Sequence, residues 1–160
     1  MMPVLPEGIK ERELCCKAAE KAMLLLNYRD RSVQELLQRL LEKFPPEAAS
    51  YAMEYVTHYG YLNDRRYAEN YAYSAAGKKG RRAIRFELKQ KGIDSVWIEE
   101  ALEQLEAEEK DTIRKLLHRK AGEPHPLDEK EYRRLYGYFA RKGFPPGEIC
   151  KALQEFRREG

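Results

Sequence analysis

The sequence predicts an all-α protein of three tandem three-helix repeats, forming an elongated array, straight or curved. Three observations lead there. The chain resembles itself at a constant shift of about fifty residues. Its apolar residues recur at three- and four-residue spacings. No segment alternates with the period of two that a strand needs.

The repeat is read first from its turns. Lys91-Gly92-Ile93-Asp94-Ser95 aligns with Lys142-Gly143-Phe144-Pro145-Pro146, and Ile84, Leu88, Ile98, Ala101, Leu102 and Leu105 meet Leu135, Phe139, Ile149, Ala152, Leu153 and Phe156. The first third joins with a small gap: Leu36 and Leu40 meet Ile84 and Leu88, and Phe44-Pro45-Pro46 meets Ile93-Asp94-Ser95. Ala49, Ala52, Met53 and Val56 then fall on Ile98, Ala101, Leu102 and Leu105. The expected organisation is an irregular tail over 1–12, then repeats over 13–62, 63–107 and 108–160. A unit of about fifty residues buries little surface alone, so neighbouring units should share apolar faces.

Within the repeats, helices are expected over 11–28, 33–43, 46–59, 64–76, 80–91, 95–107, 109–121, 128–142 and 146–158. Gly92 and Gly143 stand where a helix end wants a left-handed residue. The apolar residue after each can tuck under the turn. Pro, or Asp/Ser, then starts the next helix. Ser32 with Glu35 is a capping-box signature, Gly60 closes the third helix and Asn63 caps the fourth. Tyr67 and Tyr71 share a face with Ala68, Ala72 and Ala75 and read as core, whereas Tyr73 lies opposite. Tyr51, Tyr55 and Tyr59 form an i, i+4, i+8 stripe that reads as core packing. Tyr61 and Leu62 read as anchors of the turn between units.

Charge narrows the function. Charged residues make up 36% of the chain, above the usual quarter, yet the net charge is only +3. The charges are segregated. Lys78, Lys79, Arg81, Arg82, Arg85, Lys89 and Lys91 face one Glu87 within 78–91. Glu99, Glu100, Glu103, Glu106, Glu108, Glu109 and Asp111 face one Lys110 within 99–111. This predicts one basic and one acidic surface, and such local fields steer partners.

No enzyme is expected. Phosphate-loop, nucleophile-elbow, zincin and dinucleotide-binding signatures are all absent. Cys15, Cys16 and Cys150 fit a reducing compartment, and His58, His118 and His125 lack metal-ligand spacing, so neither metal nor cofactor is expected. With no signal peptide and no apolar run of membrane-spanning length, a cytoplasmic protein is expected.

The helix opening at Gly80 is the most informative element. Ile84 and Leu88 mark its buried side, and Arg81, Arg85, Lys89 and Arg82 fill an arc of about 100° beside it. Lys78 and Lys79 add charge at its amino end, where cations oppose the helix dipole. A basic cluster in that place points to an anionic partner, with Arg81, Arg82, Arg85 and Lys89 as phosphate contacts. Phe86 projects beyond the arc. It has two readings: an exposed ring for stacking or docking, or a contact with an adjacent unit.

Leu36-x-x-x-Leu40, Gly60-Tyr61-Leu62-Asn63-Asp64-Arg65-Arg66-Tyr67-Ala68 and Ile84-x-x-Glu87-Leu88-x-x-Lys91-Gly92-Ile93, in this order, resemble the bacterial RecX family. The likeness runs from about Ala22 to the carboxyl end, and Ala83 stands where many members carry arginine. The resemblance implies a regulator of the RecA recombinase. Such a protein binds the RecA filament on single-stranded DNA, and DNA directly as a further option. It inhibits ATP hydrolysis and strand exchange, with a link to DNA repair, recombination and the SOS response. It implies no membrane and no small-molecule substrate, and the free chain is expected to be a monomer. The filament-binding residues expected are Lys78, Lys79, Arg81, Arg82, Arg85, Phe86 and Lys89. Two other readings stand beside it: a stand-alone helical DNA-binding module and a helical scaffold for one protein partner.

Overall fold

The structure, a computed structural model, describes residues 2–105 and 108–159. Among the described residues there are nine α-helices and no strand: α1 (Ile9–Tyr28), α2 (Val33–Leu41), α3 (Pro46–His58), α4 (Asp64–Ala75), α5 (Arg81–Gln90), α6 (Ser95–Glu103), α7 (Glu109–Ala121), α8 (Glu129–Arg141) and α9 (Pro146–Glu159). The first helix, expected from residue 11, begins two residues earlier, so Ile9 and Lys10 of the expected tail are helical: α1 starts directly after Gly8 and carries Glu11 in its first turn. The helix expected over 95–107 ends at Glu103, with a turn at Gln104 and Leu105. Residues 106 and 107 lie outside the described residues, as do Met1 and Gly160. No described helix is long and apolar enough to cross a membrane.

The turns follow local chemistry. Gly60, Gly92 and Gly143 adopt φ of +75°, +79° and +91°, the left-handed region that glycine enters without a Cβ penalty. Ile93 and Phe144 tuck beneath their turns and are buried, while Phe44 is half-buried. The Asn63 side chain accepts from the Arg66 N–H at 3.1 Å, as a cap should. Leu62 anchors its turn, but Tyr61 is half exposed.

Packing divides the chain into two units, residues 1–68 with 89–97 and residues 69–88 with 98–160. In the first, α1 lies along α3. Ala18, Ala22, Ala49 and Ala52 are fully buried, and side chains that small let two helices approach closely. Tyr51 and Tyr55 of the α3 stripe pack against the edge of this core, and Tyr59 stands outside it. Val56 and the alanines take the buried face, so Tyr51 and Tyr55 are only half-buried and Tyr59 is exposed. Their rings stack in a tilted ladder, with centroids 6.3 and 4.8 Å apart. In the second unit, Ile113, Leu117, Leu135, Phe139, Phe144, Ile149, Leu153 and Phe156 form one buried cluster.

Each unit contains the same junction between successive repeats. In the first unit, the Ser32 hydroxyl before α2 donates to the Lys91 carbonyl at 2.7 Å, and Gln34 Nε2 donates to the Gln90 carbonyl at 3.4 Å. In the second, the Gly80 N–H before α5 donates to the Lys142 carbonyl at 2.8 Å, and the Arg82 N–H to the Gly143 carbonyl at 3.1 Å. Ser32 and Gly80 are repeat equivalents, and so are Lys91 and Lys142. Thus the amino end of the middle helix in the first and second repeats docks on the Lys-Gly turn of the repeat that follows. Gly92 and Gly143 end a helix and also admit another. The matching turn of the first repeat carries Lys43 at negative φ, and its backbone bonds are local.

The first junction contains a pH-sensitive carboxylate. Ser32 and Glu35 form a complete capping box. Burial pushes the Glu35 carboxyl upward, but the Ser32 N–H, Lys91, the Tyr67 hydroxyl and Arg29 together hold it below its ordinary 4.5. A depressed folded-state pKa contributes stability above the unfolded value and loses it as pH falls through the folded one. In urea melts taken from about pH 7 down to about pH 3, the parent should lose a step of stability below pH 4.5 that Glu35→Gln lacks. Identical pH profiles would show that Glu35 carries no such linkage.

Candidate functional site

The site is the outer face of α5, with the turn before it. Ile84 and Leu88 are fully buried, which fixes the rotation of the helix. Lys78, Arg82, Phe86 and Lys89 are exposed, and Lys79, Arg81 and Arg85 are half-buried. Phe86 is 63% exposed.

The basic cluster divides by partner. Arg85 Nε and Nη2 lie 2.7 and 3.1 Å from the two Glu99 oxygens, a bidentate pair. That hydrogen bonding raises the Arg85 pKa above its ordinary value. Lys79 pairs with Glu87. Arg81 Nε lies 2.5 Å from Glu109 Oε2, and the Arg81 backbone N–H donates to Glu109 Oε1 at 3.2 Å. Among the described residues, Lys78, Arg82 and Lys89 form no ion pair.

Glu109 was not expected here. The sequence places it in an acidic surface, yet only 6% of it is exposed. It supplies from α7 the carboxylate that the first turn of α5 lacks, meeting both the free amide and the helix dipole. One signal could have revealed it. Glu109 stands four residues before Ile113 and eight before Leu117, on the apolar stripe of α7. The predicted division into one basic and one acidic surface is therefore corrected: Glu99 and Glu109 of the acidic run neutralise Arg85 and Arg81 of the basic one. Glu106 lies outside the described residues.

Among the described residues, no group of three or more His, Cys, Asp or Glu could hold a metal ion. The fold and this face define an all-α protein of tandem three-helix units with an open cation-and-aromatic surface on the middle helix of the second. Three family models match the chain in order: RecX first three-helix domain over residues 18–55, second three-helix domain over 63–102, and third three-helix domain over 107–153. The chain belongs to the RecX family. It is 33% identical over 137 residues to the regulatory protein RecX of Xanthomonas oryzae pv. oryzae, covering 84% of this chain and 86% of that protein. It is 32% identical over 159 residues to the regulatory protein RecX of Amycolatopsis mediterranei, covering 96% and 91%. The crystal structure of RecX from Lactobacillus salivarius has the same fold, with a TM-score of 0.73 at 24% identity over 90% of this chain and 97% of that one.

Proposed function

We propose that this chain binds the RecA filament on single-stranded DNA in the cytoplasm and restrains RecA ATP hydrolysis and strand exchange. Its role is regulatory and non-catalytic, within DNA repair, recombination and the SOS response. The reading is supported by relatives named regulatory protein RecX over most of the chain. One structural observation carries it to a surface: Lys78, Arg82 and Lys89 stay exposed and, among the described residues, without acid partners, while neighbouring cations are neutralised. Contact through these groups is multivalent and electrostatic.

The test is RecA ATPase on single-stranded DNA with and without the protein, with co-sedimentation of the filament. Unchanged hydrolysis and no co-sedimentation would overturn the proposal. Arg81 and Arg85 are committed to Glu109 and Glu99, so about three phosphate contacts remain. The log–log salt slope of binding should then be about −2 to −3, at roughly 0.7–0.9 per contact. The triple variant Lys78→Ala, Arg82→Ala, Lys89→Ala should flatten it and leave the helical circular-dichroism signal intact. A variant whose slope matches the parent's would take the contact away from this face.

A further inference from the structure

We infer that Phe86 is a stacking platform for an unpaired base, with Arg82 holding the phosphate backbone of the same single strand. The inference deepens the proposed reading of α5 and rests on it for the anionic polymer.

Comparison of the three repeats carries the argument. The repeat equivalents of Phe86 are Gln38 and Gly137, so the fold does not need a ring at this position. The equivalents of Arg82 are Gln34 and Arg133, and Arg133 is tied to Glu129 at 2.6 Å, one helical turn away. In the second repeat the register position of Glu129 is Lys78, so Arg82 has a cation where Arg133 has its partner. Among the described residues at these two positions, the second repeat alone therefore combines an exposed ring with an unpaired guanidinium. The two residues are four apart on α5, about 6 Å along the axis and about 40° around it, and so present one continuous face.

Chemistry selects the occupant. A ring 63% exposed loses free energy in water unless something covers it. A protein hot spot surrounds its anchor with contacts that exclude water. Here the other large apolar residue exposed in the second unit, among the described residues, is Tyr73, and Phe86 is flanked on its helix by Arg82, Arg85 and Glu87. Such surroundings remain wet and suit a polyanion. In a duplex both faces of each base are already stacked, whereas an unpaired base offers a free π-face. Stacking of this kind tolerates any base and adds to phosphate contact.

The full-length chain is titrated into a fluorescein-labelled oligothymidylate of about 16 nucleotides, an abasic oligomer of the same length, and a matching duplex. Phe86→Ala should weaken oligothymidylate binding by between about 5- and 100-fold. It should leave the abasic oligomer, the duplex, the salt slope and the melting temperature unchanged. Phe86→Tyr should restore binding. Equal binding of oligothymidylate by parent and Phe86→Ala, or no binding by the parent at low salt, overturns the inference. If Phe86→Ala loses the RecA filament but keeps the oligothymidylate, the ring docks on protein. That outcome also overturns the inference and leaves the proposed function standing.

Discussion

Gly143→Ala should lower the stability of the chain by about 4 kcal/mol, seen as a fall in melting temperature of roughly 10 °C. Two costs combine. At φ +91° an alanine is strained, by about 1–3 kcal/mol. Its Cβ would also lie 2.4 Å from the Ala83 nitrogen and 2.5 Å from the Ala83 Cβ, both parts of α5. The turn must then move away from α5, which breaks the Gly80 and Arg82 bonds at about 1 kcal/mol each. Gly77 supplies the control. Its φ is not positive and open space surrounds it, so Gly77→Ala should be neutral or stabilising by about 0.4–1 kcal/mol. Melting of Gly143→Ala within about 2 °C of the parent would mean that the junction does not hold the repeats.

Phe139→Ala should cost about 3–5 kcal/mol, read as a shift of the urea midpoint with little change in slope. The ring is fully buried in the second unit's core. It meets Phe144 edge-on at 5.8 Å and Tyr138 at 5.2 Å, so truncation removes apolar transfer, leaves a cavity and breaks two aromatic pairs. Phe86 makes the comparison informative. It is the same residue type on the middle helix of the preceding repeat, yet it faces water, and its truncation should change stability by no more than about 0.5 kcal/mol. Equal losses in the two variants would contradict the assigned rotations of α5 and α8.

The contrast between these phenylalanines was partly legible beforehand. Leu88 and Phe139 share a repeat position, and the three- and four-residue spacing put both inside; the same spacing put Phe86 outside. The capping box at Ser32, the Asn63 cap and the glycine turns were legible for a similar reason, since each involves residues within about four positions of one another. The acidic run was misread because its charges were counted along the chain. Glu109 reaches Arg81 across 28 positions, and Glu99 reaches Arg85 across 14.

The sequence alone thus determined an all-α chain of three-helix repeats, the rotation of each middle helix and the turns between helices. These depend on backbone propensity and on neighbours one helical turn away, which linear spacing records. Tertiary structure decided which cations stay available, why Gly143 must be small, and why the α3 tyrosines stand at the edge of the core. Those outcomes depend on which helix faces which and how closely. Close packing sets those distances, and a carboxylate one helix away can neutralise an arginine that its own helix leaves exposed.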